Sequence, residues 1–126
     1  METERFEYLV AAAIASLPEE FHELMDNVVV VVQDAPSPTQ ISRATRRGTI
    51  LGLYEGVPRT RRGYGYSLVA PDKITIFQKP MEALFTSETV LEAEIRKVVI
   101  HEVAHHFGFD DYQLEEIEKA KRQREQ

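Results

Sequence analysis

An α+β fold, with a small mixed β-sheet packed on helices, is the class this sequence predicts. Three observations lead there. Apolar residues at helical spacing open and close the chain. Three strand-type segments lie between them. The connections are short, with no internal repeat, so one domain over residues 1–126 accounts for the whole length.

The elements follow in order. Phe6, Leu9, Val10, Ala13, Ile14 and Leu17 share one helical face, with a start near Thr3 and a stop at Pro18. Glu19 to Met25 reads as a second short helix. Val28 to Val32 is an unbroken valine run, and β-branching without alternation predicts a strand buried on both faces. Asp34 to Gln40 (DAPSPTQ) has loop composition. Thr49 to Tyr54 reads as a strand, and Gly56 to Gly65 as a Gly/Arg loop. Lys73 to Gln78 (KITIFQ) alternates like a third strand. Pro80 opens a short helix through Phe85. Ser87 with Glu88 opens the long one, with Val90, Leu91, Ile95, Val98 and Val99 on its apolar side. Tyr112 to roughly Arg124 is a polar helix carrying Leu114, Ile117 and Ala120 at helical spacing.

Composition narrows the chemistry. A content of 43% apolar residues is ordinary for a globular domain. With no cysteine, disulfides and thiolate catalysis are excluded, and any metal must be held by His, Asp or Glu. The first residues, METERFEYLVAAAIASL, lack the basic start of a secretory leader, and no apolar run is long enough to span a bilayer. A cytoplasmic protein without membrane contact is the expectation. The net charge of −6 makes nucleic acid an unexpected partner. The charge is uneven, however. Between Ile41 and Tyr66 lie Arg43, Arg46, Arg47, Arg59, Arg61 and Arg62 against Glu55 alone. Such a cluster reads as a solvated loop, or as a surface that attracts acidic segments of a substrate.

The chemistry concentrates at the end of the long helix, in H101-E102-V103-A104-H105-H106-F107-G108-F109-D110-D111. His101 and His105 are one turn apart on the same face, so both imidazoles can reach one Zn²⁺ at ~2.0–2.1 Å. Glu102 points about 100° around the helix, where it can meet a water at the metal without being a ligand. Gly108 can adopt the left-handed conformation that ends a helix and turns the chain back. That turn can return Asp111 as a third ligand, leaving a fourth position open, as in catalytic zinc sites. Asp110 is the competing carboxylate. Spacing favours Asp111, with Asp110 capping a helix or orienting a histidine. His106 faces away from His105 and reads as a packing or supporting residue.

At these residues the chain resembles the zincins. H-E-x-x-H-x-x-G-x-x-D has the third-ligand spacing of the metzincins, with Asp111 where those carry histidine, which is similar to the Asp-zincin pattern. In so short a chain the run resembles the small bacterial mini-zincins. The resemblance implies a zincin-like fold with the active-site helix near the C-terminus. It implies one Zn²⁺ per chain on His101, His105 and Asp111, Glu102 as general base, and a peptide or protein substrate. It also implies that a strand ahead of the active-site helix, Lys73 to Gln78, can pair with an extended peptide. Two departures stand out. No methionine follows Met81, so the metzincin Met-turn is missing, and Tyr112 or the helix around Leu114 would have to brace the site. The large subdomain of bigger zincins is also missing, so the groove is shallow or completed by a partner chain. A homodimer is one way to complete it.

Tyr64, Tyr66 and Tyr112 are candidates to hydrogen-bond a developing oxyanion, against the plainer reading of packed surface tyrosines. His22, remote from the motif, reads as a surface group. Two other functions stay open at this level. One is an rRNA-processing endonuclease, which would use a similar spacing with a third histidine and suit the arginines. The other is a non-catalytic zincin-fold module that binds peptide.

Overall fold

The computed structural model of the chain describes residues 1–44, 50–56 and 70–124, apart from the side chains at positions 111, 121 and 124. Arg46, Arg47, Arg59, Arg61, Arg62, Tyr64, Tyr66 and the Gly56–Gly65 loop beyond Gly56 lie outside the described residues.

Two helices lead. Helix α1 (Thr3–Ala15) buries Phe6, Leu9, Val10 and Ala13 on one face, and α2 (Glu19–Leu24) buries Phe21. His22 closes the joint between them, its Nε2 lying 2.8 Å from the Ile14 carbonyl oxygen. Strand β1 (Val28–Gln33) follows, then α3 (Pro38–Arg43), β2 (Gly52–Glu55) and β3 (Asp72–Phe77). The chain ends in α4 (Gln78–Leu84), α5 (Glu88–Phe107) and α6 (Asp111–Arg124).

The sheet order is β1-β3-β2, with β3 parallel to β1 and antiparallel to β2. This is the small mixed sheet on helices that the α+β reading anticipates. The core lies between one sheet face and the helices. Ile74 and Ile76 of β3 meet Phe6, Leu9 and Val10 of α1 and Leu91, Ile95, Val99 and Val103 of α5. Helix α5 starts where Ser87 caps it, its hydroxyl accepting the Val90 N–H at 3.1 Å. At its exposed start, Arg5 of α1 forms a two-bond fork with Glu88 at 2.7 and 2.8 Å. The guanidinium holds the Glu88 carboxyl below the usual glutamate range.

Three expectations are corrected. Strand β1 is not buried on both faces. Val28, Val30 and Val32 pack on the core, whereas Val29 and Val31 are 43% and 38% exposed. The strand sits at the end of the sheet order, and helices cover only one of its faces. The 34–40 segment is not all loop, because Ser37 and Gln40 form a capping box that starts α3 with Pro38 in its first turn. Pro and Ser look like loop composition, but their order here is a helix start. Finally, β3 cannot receive a peptide strand, since β1 and β2 already occupy both its edges.

Candidate metal centre and its cleft

The motif residues occupy the last two turns of α5, where the helix leaves the core. Val103 and Ala104 stay buried while His101 and His105 are exposed and Glu102 is half-buried. The two imidazoles stand side by side, with ring planes 8° apart and centroids separated by 6.3 Å. Together with Glu102 and His106 they line a cavity of about 340 Å³ whose other wall is Ile50 to Tyr54.

That wall is close because of Gly52. A Cβ at this position would lie 2.5 Å from Val98 Cγ1 and 3.2 Å from the Thr75 carbonyl oxygen. Any larger residue would hold β2 away from α5. The close approach lets a helix side chain reach a strand backbone: Glu102 Oε1 accepts the Tyr54 N–H at 3.1 Å. The side chain of Tyr54 is also engaged. Its hydroxyl donates to Asp72 Oδ2 at 2.7 Å, and its ring stacks on His106 at 3.9 Å and 15°. His106 Nε2 lies 3.8 Å from the same Asp72 oxygen. His106 is therefore turned to Tyr54, not to the pair of imidazoles.

The helix ends in a Schellman turn. Gly108 has φ 79°, the Phe109 N–H reaches the Ala104 carbonyl at 2.8 Å, and the Gly108 N–H reaches that of His105 at 3.3 Å. Phe109 then packs edge-on against Phe21 of α2, with centroids 6.4 Å apart. Beyond it, Asp110 Oδ1 accepts the Gln113 N–H at 2.8 Å, and Gln113 Oε1 accepts the Asp110 N–H at 2.9 Å. This reciprocal pair caps α6, so the Asp110 carboxylate is committed to the helix start. Asp111 follows the turn directly, as the first residue of α6, and its carboxylate lies outside the described residues. Tyr112 is 70% exposed, and Leu114 and Ile117 of α6 pack against the core.

Zinc fits what is present in part. Two exposed imidazoles one turn apart are a suitable nitrogen pair, and they stand near the carbonyl end of α5, where a cation is favoured. Among the described residues no three His, Asp or Glu side chains gather as a metal cluster, and the Asp111 carboxylate is not among them.

Residues 25–121 match the zincin-like metallopeptidase family, a span that holds the sheet, the motif helix and most of α6. The chain belongs to that family. Zinc binding is a general property of such zincin-like proteins. A solved structure, a conserved hypothetical protein from Thermo thermophilus, is similar at 21% identity and a TM-score of 0.52. The match covers 85% of this chain and 94% of that one, and at this identity it speaks for the fold alone. No curated protein matches the chain. Among the described residues, no helix of this zincin-like protein is long and apolar enough to cross a membrane.

Two residues of the cleft carry no sequence signal. Tyr54 is the third residue of the short strand β2 and Asp72 the start of β3. Only their meeting with Glu102 and His106 marks them, and nothing in a single sequence announces it.

Proposed function

We propose that this protein hydrolyses peptide bonds with one zinc ion per chain, held by His101, His105 and Asp111, and with Glu102 as general base. The observation that carries the reading is Glu102 held against the edge strand in the same cavity as the two imidazoles. Bound zinc supplies a Lewis acid that polarises a carbonyl and lowers the pKa of water towards ~7. The chain supplies the rest. Glu102 Oε1 is tied to the Tyr54 N–H, which leaves Oε2 to take a proton from water and hand it to the leaving amine. The three ligands leave the nearby carboxylate outside the coordination set, as a proton carrier must be.

Strand β2 is the one suited to receive an extended peptide. Among the described residues it pairs with β3 alone and lines the cavity, and because Glu102 already holds the outward Tyr54 N–H, a peptide would pair through the remaining groups of that edge. The Ile50, Leu51 and Val98 side of that cavity offers apolar contact, and the arginine-rich segments on either side of β2 would draw acidic parts of a protein substrate. The endonuclease alternative is disfavoured, since residue 111 is Asp rather than a third His and the chain is net acidic.

The test is metal analysis of the purified protein followed by digestion of a broad peptide library, with and without chelator. Near one zinc per chain and chelator-sensitive cleavage support the proposal. Full zinc with no cleavage anywhere in the library overturns it in favour of the peptide-binding module. Cleavage that persists after the metal is stripped overturns the zinc mechanism.

A further inference from the structure

We propose that Tyr54 is a positioning residue for Glu102, and that His106 and Asp72 act by fixing Tyr54. The inference deepens the proposed function and rests on it for its catalytic meaning, but its structural core can be tested on metal-free protein.

Glu102 has three rotatable side-chain bonds and sits half-buried at the rim of a wet cavity, so nothing in the helix alone aims its carboxylate. The Tyr54 N–H does so. A backbone donor is only as well placed as its peptide plane, and this plane belongs to an edge strand of four residues, the kind of element that frays most easily. What pins it is the tyrosine side chain. The phenol donates to Asp72 of β3 in a short bond to a carboxylate, roughly twice as strong as a neutral one. Asp72 is only 8% exposed, so water is a poor substitute for that donor. The ring is backed by the His106 imidazole of α5 at 3.9 Å. A Cβ at Gly56 would come within 3.1 Å of His106 Cε1, so the chain leaving β2 also runs against that ring. One residue thus joins β2, β3 and α5 through its side chain and presents its amide to Glu102. His106, the motif residue that the ligand set leaves over, thereby acquires a role as the platform on which the positioning residue rests.

In an antiparallel pair successive amides point alternately to the partner and away. With the Tyr54 N–H turned to Glu102, those of Leu53 and Glu55 point to β3. That alternation separates positioning from mere strand adhesion. The experiment is residue-resolved amide hydrogen exchange on metal-free parent, Tyr54→Phe, Tyr54→Leu, Asp72→Ala, Asp72→Asn and Glu102→Ala, with zinc affinity and steady-state peptide cleavage measured alongside. In Glu102→Ala the amide at 54 should exchange ~10-fold faster or more, because its acceptor is gone. Tyr54→Leu should approach that value at position 54, while Leu53 and Glu55 change by less than about threefold. Tyr54→Phe and Asp72→Ala should agree with each other and fall between, and Asp72→Asn, which still offers an oxygen to the phenol, should match the parent. Zinc affinity should be unchanged throughout. In Tyr54→Leu, kcat should fall ~10-fold or more with KM nearly constant, as expected when a reacting group is misplaced and the substrate still binds. If positions 53, 54 and 55 accelerate together in Tyr54→Phe and Asp72→Ala, the cluster is adhesive and the proposal is wrong. It is equally wrong if position 54 is indifferent to the loss of Glu102. If no peptide is cleaved by zinc-loaded parent, the proposed function falls, and the exchange data still decide whether Tyr54 holds Glu102.

Discussion

Strands β1 and β2 flank the same central strand, and each offers the opposite edge of the sheet. β1 is the longer and more strand-like in composition, with five valines before Gln33 and a parallel register to β3. β2 has four residues, one of them glycine. Yet β2 forms the wall of the cleft. What separates the two is the neighbour that each can admit. Gly52 lets α5 come within reach, so that Glu102 bonds to the strand and His106 stacks on its tyrosine. β1 turns Val29 and Val31 outward and carries no group with chemistry. Intrinsic strand preference thus belongs to the edge without the cleft, and the candidate site is built where that preference is weakest.

The comparison can be broken most forcefully at Glu102. Glu102→Gln should keep zinc near one per chain and leave thermal unfolding almost unchanged, while turnover of any cleavable peptide falls by ~10²-fold or more. Equal turnover would show that the carboxylate beside β2 is not the base. Next in size is Gly52→Val, which forces a branched side chain into the space held by Val98. Overpacking of this kind costs roughly 1–3 kcal/mol in urea unfolding, and the displaced strand should lose Glu102 as well. A variant as stable as the parent would mean that the close approach is not needed. Gly108→Val leaves the strands alone and puts a branched residue at φ 79°, so a cost of order 1–3 kcal/mol and weakened zinc binding are expected. Nothing would touch its Cβ, so conformation is the sole cause.

The two aspartates after the turn should then separate. Asp110→Ala removes the α6 cap and should cost about 1 kcal/mol with zinc affinity kept. Asp111→Ala should do the reverse, lowering affinity in competition with a chromogenic chelator. Equal affinities for both variants would mean that neither carboxylate has the assigned part. The smallest effect belongs to the other edge. Val31→Thr on the outer face of β1 should change stability by no more than about 0.5 kcal/mol and leave zinc and turnover alone, as measured by the same unfolding and assays.

Much of this was legible in the chain itself. The apolar spacing of Phe6, Leu9, Val10 and Ala13 marks the buried face of α1, and Ser87 with Glu88 marks the start of α5, because both are local signals with a period or a cap. The motif helix declares its histidines for the same reason. A run of identical valines has no period, so it cannot say which face of β1 meets solvent. The α3 start was written in Ser37 and Gln40 but hidden by prolines that also suit a loop. Strand order, and with it the proposal of β2 rather than β3 as the strand that meets a peptide, depends on pairings between distant residues. The same holds for Tyr54, which meets Asp72 across 18 positions and Glu102 across 48.

The edge-on contact between Phe109 and Phe21 reaches past the limits of the shared family segment. Phe109 sits on the turn between the histidines and Asp111, and Phe21 belongs to α2, ahead of residue 25 where the family match begins. Helix α2 thus seats the turn that leads from the histidines to Asp111. A zincin-like unit cut to the matched residues would keep every motif position and lose the Phe21 ring against which the turn after Gly108 rests.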